Sequence, residues 1–360
     1  PTNGYGDSRI LRDLIKKENP DAILFITDPR YFEWAFRIEN EIRKNIPLIY
    51  LNIWDDYPAP QYNENFYESC DALYGISKQT VNINKIVLGD KTKNKIIEYL
   101  PHGLNNNIFK PLEPDNELMV KMKKDIFKDK EVDFVLFFNS RNIRRKQISD
   151  SIWAYKMFLD NLPKEKAEKC RFLLKTQPID NNGTDLIAVC EYLFGDDWGD
   201  YISFVNGNLS SEQMSALYNM SDATILLTSN EGWGLALTES LLTGTPFIAN
   251  VTGGMQDQMR FIDEDGKWFT PSSQIPSNNT GKYKSHGEWA FPVFPACRSI
   301  QGSPITPYIW DDRCKPEDAA DRIREIYDLS PEERKSKGAK GREWALSDEA
   351  GFTAEHQGKR

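Results

Sequence analysis

Nothing in the 360 residues approaches the run of about 20 apolar residues that a membrane-spanning helix needs. The chain therefore reads as soluble and is expected in the cytoplasm. Cysteines are few and show no paired pattern: Cys70, Cys170, Cys190, Cys297 and Cys314 are odd in number, widely spaced and without a Cys-x-x-Cys. That argues against a disulfide framework or a zinc site and fits reduced thiols. Positive charge is in deficit too. With 45 basic against 54 acidic residues the net charge is -9, which disfavours broad electrostatic capture of nucleic acid or an acidic membrane. An anionic ligand must then meet locally arranged cations. There is no internal repeat and no low-complexity tract, and the adjacent acids Asp55 and Asp56 stand without the further spaced ligands of a metal site. No required metal is expected. The chain begins at Pro1 without methionine, so a further segment is expected upstream.

What is present is apolar content: 39% hydrophobic and 12% aromatic residues, enough over this length to build the cores of two α/β domains. Hydrophobic periodicity predicts a helix over 8–17, a strand over 22–27, a helix over 31–43 and a strand over 48–52, with further strands at 72–75 and 97–100. The stretch PHGLNNNIFKPLEPDN then has the proline, glycine and asparagine density of a linker. Beyond it, a second alternation predicts strands at 133–138, 172–175, 201–205, 224–227 and 246–249. Helices are predicted between them at 149–159, 185–193, 210–218 and 235–242, and later at 317–327 and 331–346. The pattern implies two mostly parallel, Rossmann-like sheets facing across a cleft, with ligands outside the carboxyl ends of the strands. The expected domains are 1–105, incomplete at its start, and 106–346, followed by a tail over 347–360. Residues 263–312 read as an irregular insertion or flap.

The most informative stretch is SNEGWGLALTESLLTGTPFIA, Ser229 to Ala249, a strand, glycine turn, helix and strand that carries Glu231 in the turn and Glu239 on the helix. Backbone amides at such a helix start can face an anion. Read alone, Glu239 is a helix-start carboxylate favoured by the macrodipole. Glu231 has no such capping purpose.

Four stretches together resemble the retaining, nucleotide-sugar-dependent glycosyltransferases of the GT-B fold with a Glu-x7-Glu signature, a group like glycosyltransferase family four. SNEGWGLALTE gives Glu231 and Glu239 at the family spacing, and NSRNIRRKQ gives Arg141 and Lys146, five apart, after a strand. YISFVNGNLSSEQMSALYNMSDATILLTS follows the family pattern before the signature, and LPHGLNNNIFKP is similar to its interdomain turn. The match runs over roughly 21–346 and is strongest in the second half. The first domain departs from the family, because no glycine-rich phosphate loop precedes Ile10 and PTNGYGDS is at best a remnant of one.

The resemblance implies transfer of a sugar from a UDP- or GDP-sugar to an acceptor hydroxyl with retained stereochemistry, no metal, and no cofactor beyond the donor. It implies that Arg141 and Lys146 hold the diphosphate, although RNIRRK by itself also reads as a solvated basic turn. Glu239 would bind the ribose hydroxyls and Glu231 would lie at the sugar ring, with Gly232, Trp233, Gly234, Leu235 and Thr238 completing the donor cradle. Trp233 also reads as simple packing. Val205 and Asn208 would flank the nucleobase, or belong to an ordinary turn around Gly207. On the acceptor side stand His102, Trp54, Asp55 and Asp56, each with a turn-residue reading beside it. Gly253 and Gly254 permit close backbone approach to the donor sugar or form a turn. His286, Trp289 and Tyr308 read as packing within the insertion. The acceptor, be it glycan, lipid, protein or modified nucleic acid, stays open. Closure of the two domains on the donor is expected, and a non-catalytic sugar-binding scaffold on the same fold is the rival reading.

Overall fold

The computed structural model describes residues 5–128 and 130–360, so Pro1 to Gly4 of the supposed loop remnant lie outside the described residues. Strands β1 (Ile23–Ile26), β2 (Leu48–Asn52), β3 (Ala72–Gly75) and β4 (Ile96–Tyr99) form a parallel sheet in that order. In-phase register puts Asn52 beside Gly75, so the carboxyl ends of β2 and β3 finish level at one edge.

The second sheet holds six parallel strands: β5 (Phe134–Asn139), β6 (Cys170–Lys175), β7 (Ile202–Phe204), β8 (Ala223–Leu226), β9 (Phe247–Asn250) and β10 (Ala290–Val293). Their order is β10-β9-β8-β5-β6-β7. Five consecutive residues of β5, Phe134 to Phe138, are buried, as expected of a central strand covered by helices on both faces. The chain moves outward to one side of β5 through β6 and β7, then returns to its other side with β8. This reversal opens a crevice between the loops that follow β5 and β8. It is what brings Lys146 to Glu231, 85 residues further on.

The insertion is more regular than its composition suggests. Its Ala290–Val293 segment is the sixth strand, paired among the described residues with β9 alone, and an edge position is where Pro292 can sit without breaking a ladder on both sides. An antiparallel hairpin follows, β11 (Cys297–Gln301) and β12 (Ile309–Arg313). The helix expected over 31–43 is broken into the short pieces Pro29–Phe32, Glu33–Phe36 and Glu39–Ile42. Among the described residues, two helices of eleven residues escaped the periodicity, Lys78–Leu88 and Glu117–Phe127, as did several shorter ones. Residues 347–360 turn back to the junction, where Leu104 pairs with Thr353 and Phe352 is buried against Trp233 and Trp344.

The halves meet through polar contacts. Trp310 N–H donates to the Tyr57 carbonyl at 2.7 Å, Gln256 Nε2 to Gln79 Oε1 at 3.0 Å, and Lys78 N–H to Asp257 Oδ2 at 2.8 Å. Burial pushes the Asp257 carboxyl up to about 6, with the Lys78 charge and N–H opposing. A raised folded-state value means that the folded protein holds this proton more tightly than the unfolded chain. The corresponding stability is therefore complete at low pH and lost as pH rises through about 6. Asp257→Asn, which imitates the protonated form, is expected to exceed the wild type by on the order of 2–3 kcal/mol at about pH 7.5, and to match it only below about pH 3.5. Urea unfolding at the two pH values checks this.

Candidate functional site

The crevice between the sheets is a hollow of about 400 Å³. From the second domain it is lined by the end of β5 and its loop (Asn139, Ser140, Arg145, Lys146) and by the segment from Glu231 to Glu239. From the first come Ile53, Asp55, Ile76 and His102.

Glu231 is the electrostatic centre. Its Oε2 accepts from Lys146 Nζ and, at 3.0 Å, from Arg145 Nη1, while Oε1 has no partner among the described residues. The side chains of Lys146 and Glu231 are only 10% and 12% exposed, so neither charge is tolerable alone. Burial resists ionisation of Glu231, but the two cations hold its carboxyl below the usual range. Burial pulls the Lys146 ammonium down against the pull of Glu231. Asp55 completes the cluster: Oδ1 accepts the Gly232 N–H at 2.8 Å and Oδ2 lies 3.9 Å from Arg145. Burial, helped by the Glu231 charge, raises its carboxyl.

Glu239 is tethered in the same way. Its Oε2 accepts from the Tyr218 hydroxyl at 2.5 Å and from Asn139 Nδ2 at 3.0 Å, leaving Oε1 without a partner among the described residues. Each acid thus has one oxygen fixed by protein and one available for a ligand. Between them starts the helix Leu235–Thr243, whose N-cap, Gly234, has φ 87° and no side-chain cap. Its first amides are left for an anion, with the helix dipole favouring one there. Behind the turn, Gly254 N–H donates to the Glu231 carbonyl at 2.9 Å.

Several expected residues lie elsewhere. Arg141 is 65% exposed and paired with Asp180 at 3.0 Å; the arginine beside Glu231 is Arg145, four positions on. The loop reaches this arrangement because Asn142 is buried and bonded to the carbonyls of Gln177, Pro178 and Thr184, turning Arg141 outward. Thr238 points inward, accepting from Trp233 Nε1 at 2.9 Å and donating to Gln258 at 2.8 Å. Val205 and Asn208 follow β7, an edge strand separated from β5 by β6, and do not line the hollow. Trp54 is buried in the first domain's core. Asp56 is buried as well; it accepts from Gln79 at 2.7 Å and Thr252 at 3.1 Å, and burial beside Asp312 raises its carboxyl well above the ordinary range. His102 does line the hollow, and burial lowers its imidazole, which favours the neutral ring. Gly253 and Gly254 pack against the backbone of the Glu231 turn. Trp289 stacks on Trp344, His286 sits at Phe261, and Tyr308 meets Tyr62 of the first domain.

Sequence reasoning missed Arg145, Asn139 and Tyr218. The signal for Arg145 was the adjacent basic pair itself; for the other two it was their place at the end of a strand and a helix that point at the signature. Among the described residues there is no cluster of three metal-ligating side chains, and no helix is long and apolar enough to cross a membrane.

Residues 202–275 match the family described as Glycosyl transferases group 1. No curated protein sequence matches the chain. Among solved structures, the fold is similar to that of Anabaena HepE, seen in complex with UDP and glucose. The TM-score there is 0.67 at 13% identity, over 97% of this chain and 79% of the other. Sucrose-phosphate synthase from Thermosynechococcus elongatus superposes with TM-score 0.63 at 15% identity, over 97% and 74%. The UDP-forming α,α-trehalose-phosphate synthase of Burkholderia vietnamiensis gives 0.62 at 10%, over 92% and 72%. The architecture is the two-domain GT-B fold. The matched segment holds the turn and helix that carry Glu231 and Glu239.

Proposed function

We propose that this protein is a retaining glycosyltransferase that moves a sugar from a UDP- or GDP-sugar to an acceptor hydroxyl. The observation that carries the reading is the cluster itself: Lys146 and Arg145 on one oxygen of Glu231, beside an uncapped helix start, with Glu239 tethered at the far end of the same hollow. As the anomeric bond breaks, the leaving diphosphate gains negative charge, and cations and amides already in place stabilise that charge without reorganising. Lys146, Arg145 and the amides of Gly234 and Leu235 supply this charge, so the reading requires no metal. The free oxygen of Glu231 takes sugar hydroxyls and that of Glu239 takes the ribose. Arg145 stands in the role first expected of Arg141, and His102 lies where donor sugar and acceptor meet.

The two-domain donor and acceptor division, with the boundary near residue 105, belongs to the same reading. The UDP found with HepE favours a uridine donor. Five unpaired cysteines suit a reducing, cytoplasmic setting. The direct test is release of nucleoside diphosphate from a panel of UDP- and GDP-sugars. Donor binding to the wild type with no release under any acceptor would leave only a binding scaffold.

The state of Glu239 gives a pH signature. Burial raises its carboxyl, against the Tyr218 hydroxyl and Asn139 amide that favour the anion. Because ribose hydroxyls donate to the carboxylate, donor KM is expected to climb as pH falls through a range above that of an ordinary glutamate, while kcat changes less. Glu239→Gln should bind donor about tenfold more weakly at neutral pH and lose the dependence. A KM profile that keeps its acid limb in the variant would assign the limb elsewhere.

A further inference from the structure

A second hollow, of about 650 Å³, opens on the other side of Arg145. Asp55 and Arg145 line both hollows, so they form the wall between them. Its other walls include Thr184, Asn230, the segment 142–150, which runs into the first turn of the helix Ile148–Asp160, and the hairpin β11–β12, which belongs to the insertion. The hairpin tip is anchored on the first domain, where Arg30 Nη2 donates to Thr306 Oγ1 at 3.1 Å and Tyr62 packs on Tyr308.

The charges in this hollow are balanced and partly unused. Three arginines, Arg144, Arg145 and Arg313, face three aspartates, Asp55, Asp150 and Asp311. Arg145 is committed to Glu231 and Asp55, and Arg313 to Asp150 at 3.1 Å. Arg144 and Asp311 line the same space, yet neither side chain has a hydrogen-bond or ion-pair partner among the described residues. The hydroxyls of Ser149 and Thr184 are likewise uncommitted, and Ile143 and Ile309 supply apolar surface. A volume in the range of small-molecule pockets, lined by apolar patches and a few unengaged polar groups, is the chemistry of a ligand site.

We propose that this second hollow holds the acceptor, and that the acceptor is an unphosphorylated saccharide. The assignment rests on the transferase reading above. A carboxylate and a guanidinium bind vicinal hydroxyls as acceptor and donor, while the isoleucines meet the C–H faces of a ring. A phosphate would need surplus positive charge, and here the single uncommitted arginine is offset by an uncommitted aspartate. In the reaction, an acceptor hydroxyl presented past Asp55 forms the new bond to the anomeric carbon. The bond from that carbon to the diphosphate breaks, and the hydroxyl proton passes to the leaving diphosphate oxygen.

The test separates this assignment from the transferase reading. Calorimetric titration of the full chain, with UDP present, uses unphosphorylated mono- and oligosaccharides and the matching 6-phosphates. The expected result is binding of an unphosphorylated sugar, at least about tenfold weaker in Asp311→Asn and Arg144→Ala while both variants keep wild-type affinity for UDP. Preference for the phosphorylated sugars, absence of saccharide binding, or unchanged affinity in both variants would overturn it. If saccharide binds as expected but no donor releases nucleoside diphosphate, the transferase reading fails and the saccharide site stands.

Discussion

Lys146→Ala is expected to lower turnover of the nucleotide sugar by about 10²- to 10³-fold and to weaken binding of the nucleoside diphosphate, whereas Arg141→Ala should retain most activity. The contrast follows from placement. Lys146 is almost fully enclosed and donates to Glu231, while Arg141 is largely solvated and spends its guanidinium on Asp180. An ion pair whose arginine is that exposed contributes little, so its loss should be quiet. Glu231→Ala should separate the two functions of the cluster. It removes the carboxylate that offsets Lys146 and Arg145, leaving a buried and a half-buried cation to attract a diphosphate. Transfer is then expected to fall about as far as in Lys146→Ala, but the diphosphate should bind at least as tightly as in the wild type. Turnover and diphosphate affinity, measured side by side on the three variants, check the whole pattern. Full activity in both Lys146→Ala and Glu231→Ala would remove the basis of the reading.

The sequence was legible where one physical demand governed each segment. Strands β2 and β3 fall on the residues the apolar runs predict, because a strand buried on both faces has no other use for such a run. The Glu231 turn was legible because an acid followed by two closely spaced glycines, Gly232 and Gly234, just before a helix, admits few bland explanations. Legibility failed where two demands overlapped. Helix Lys78–Leu88 carries Gln79, Thr80, Asn82 and Asn84 on buried positions, so its inward face does not read as apolar. Those side chains serve contacts a pattern cannot see: Gln79 reaches Asp56, Asn82 reaches Tyr57, and Asn84 meets Asn52. In the same way RNIRRK offered four cations, and which of them face the crevice depends on Asn142 and Asp180, fixed by a loop about 40 residues away. The family resemblance pointed to Arg141; the turn of the loop presents Arg145.

The expectation of domain closure meets a junction already bolted at several points, and the Glu231 turn is the tightest of them. Gly253 has φ 51°, and a Cβ built there would lie 1.9 Å from the Glu231 carbonyl oxygen and 2.8 Å from that of Asp55. Both obstacles are backbone, so no side chain can swing aside to make room. Gly253→Ala must therefore strain its own dihedrals in a left-handed region and displace the turn that carries Glu231. Displacing that turn by about 1 Å would move the carboxylate off Lys146 and Arg145 and open the Asp55 to Gly232 bond that joins the domains; misplacement on that scale typically costs about 10²-fold in rate. Activity is thus expected to fall by about that factor, with a stability loss of about 1–3 kcal/mol in urea unfolding. Gly266→Ala serves as the control for dihedral strain alone, since its φ is 78° and a Cβ there meets nothing within 4 Å. It should lose stability without a comparable loss of turnover. If both variants lost turnover alike, the close approach of the two backbones would not be what positions Glu231.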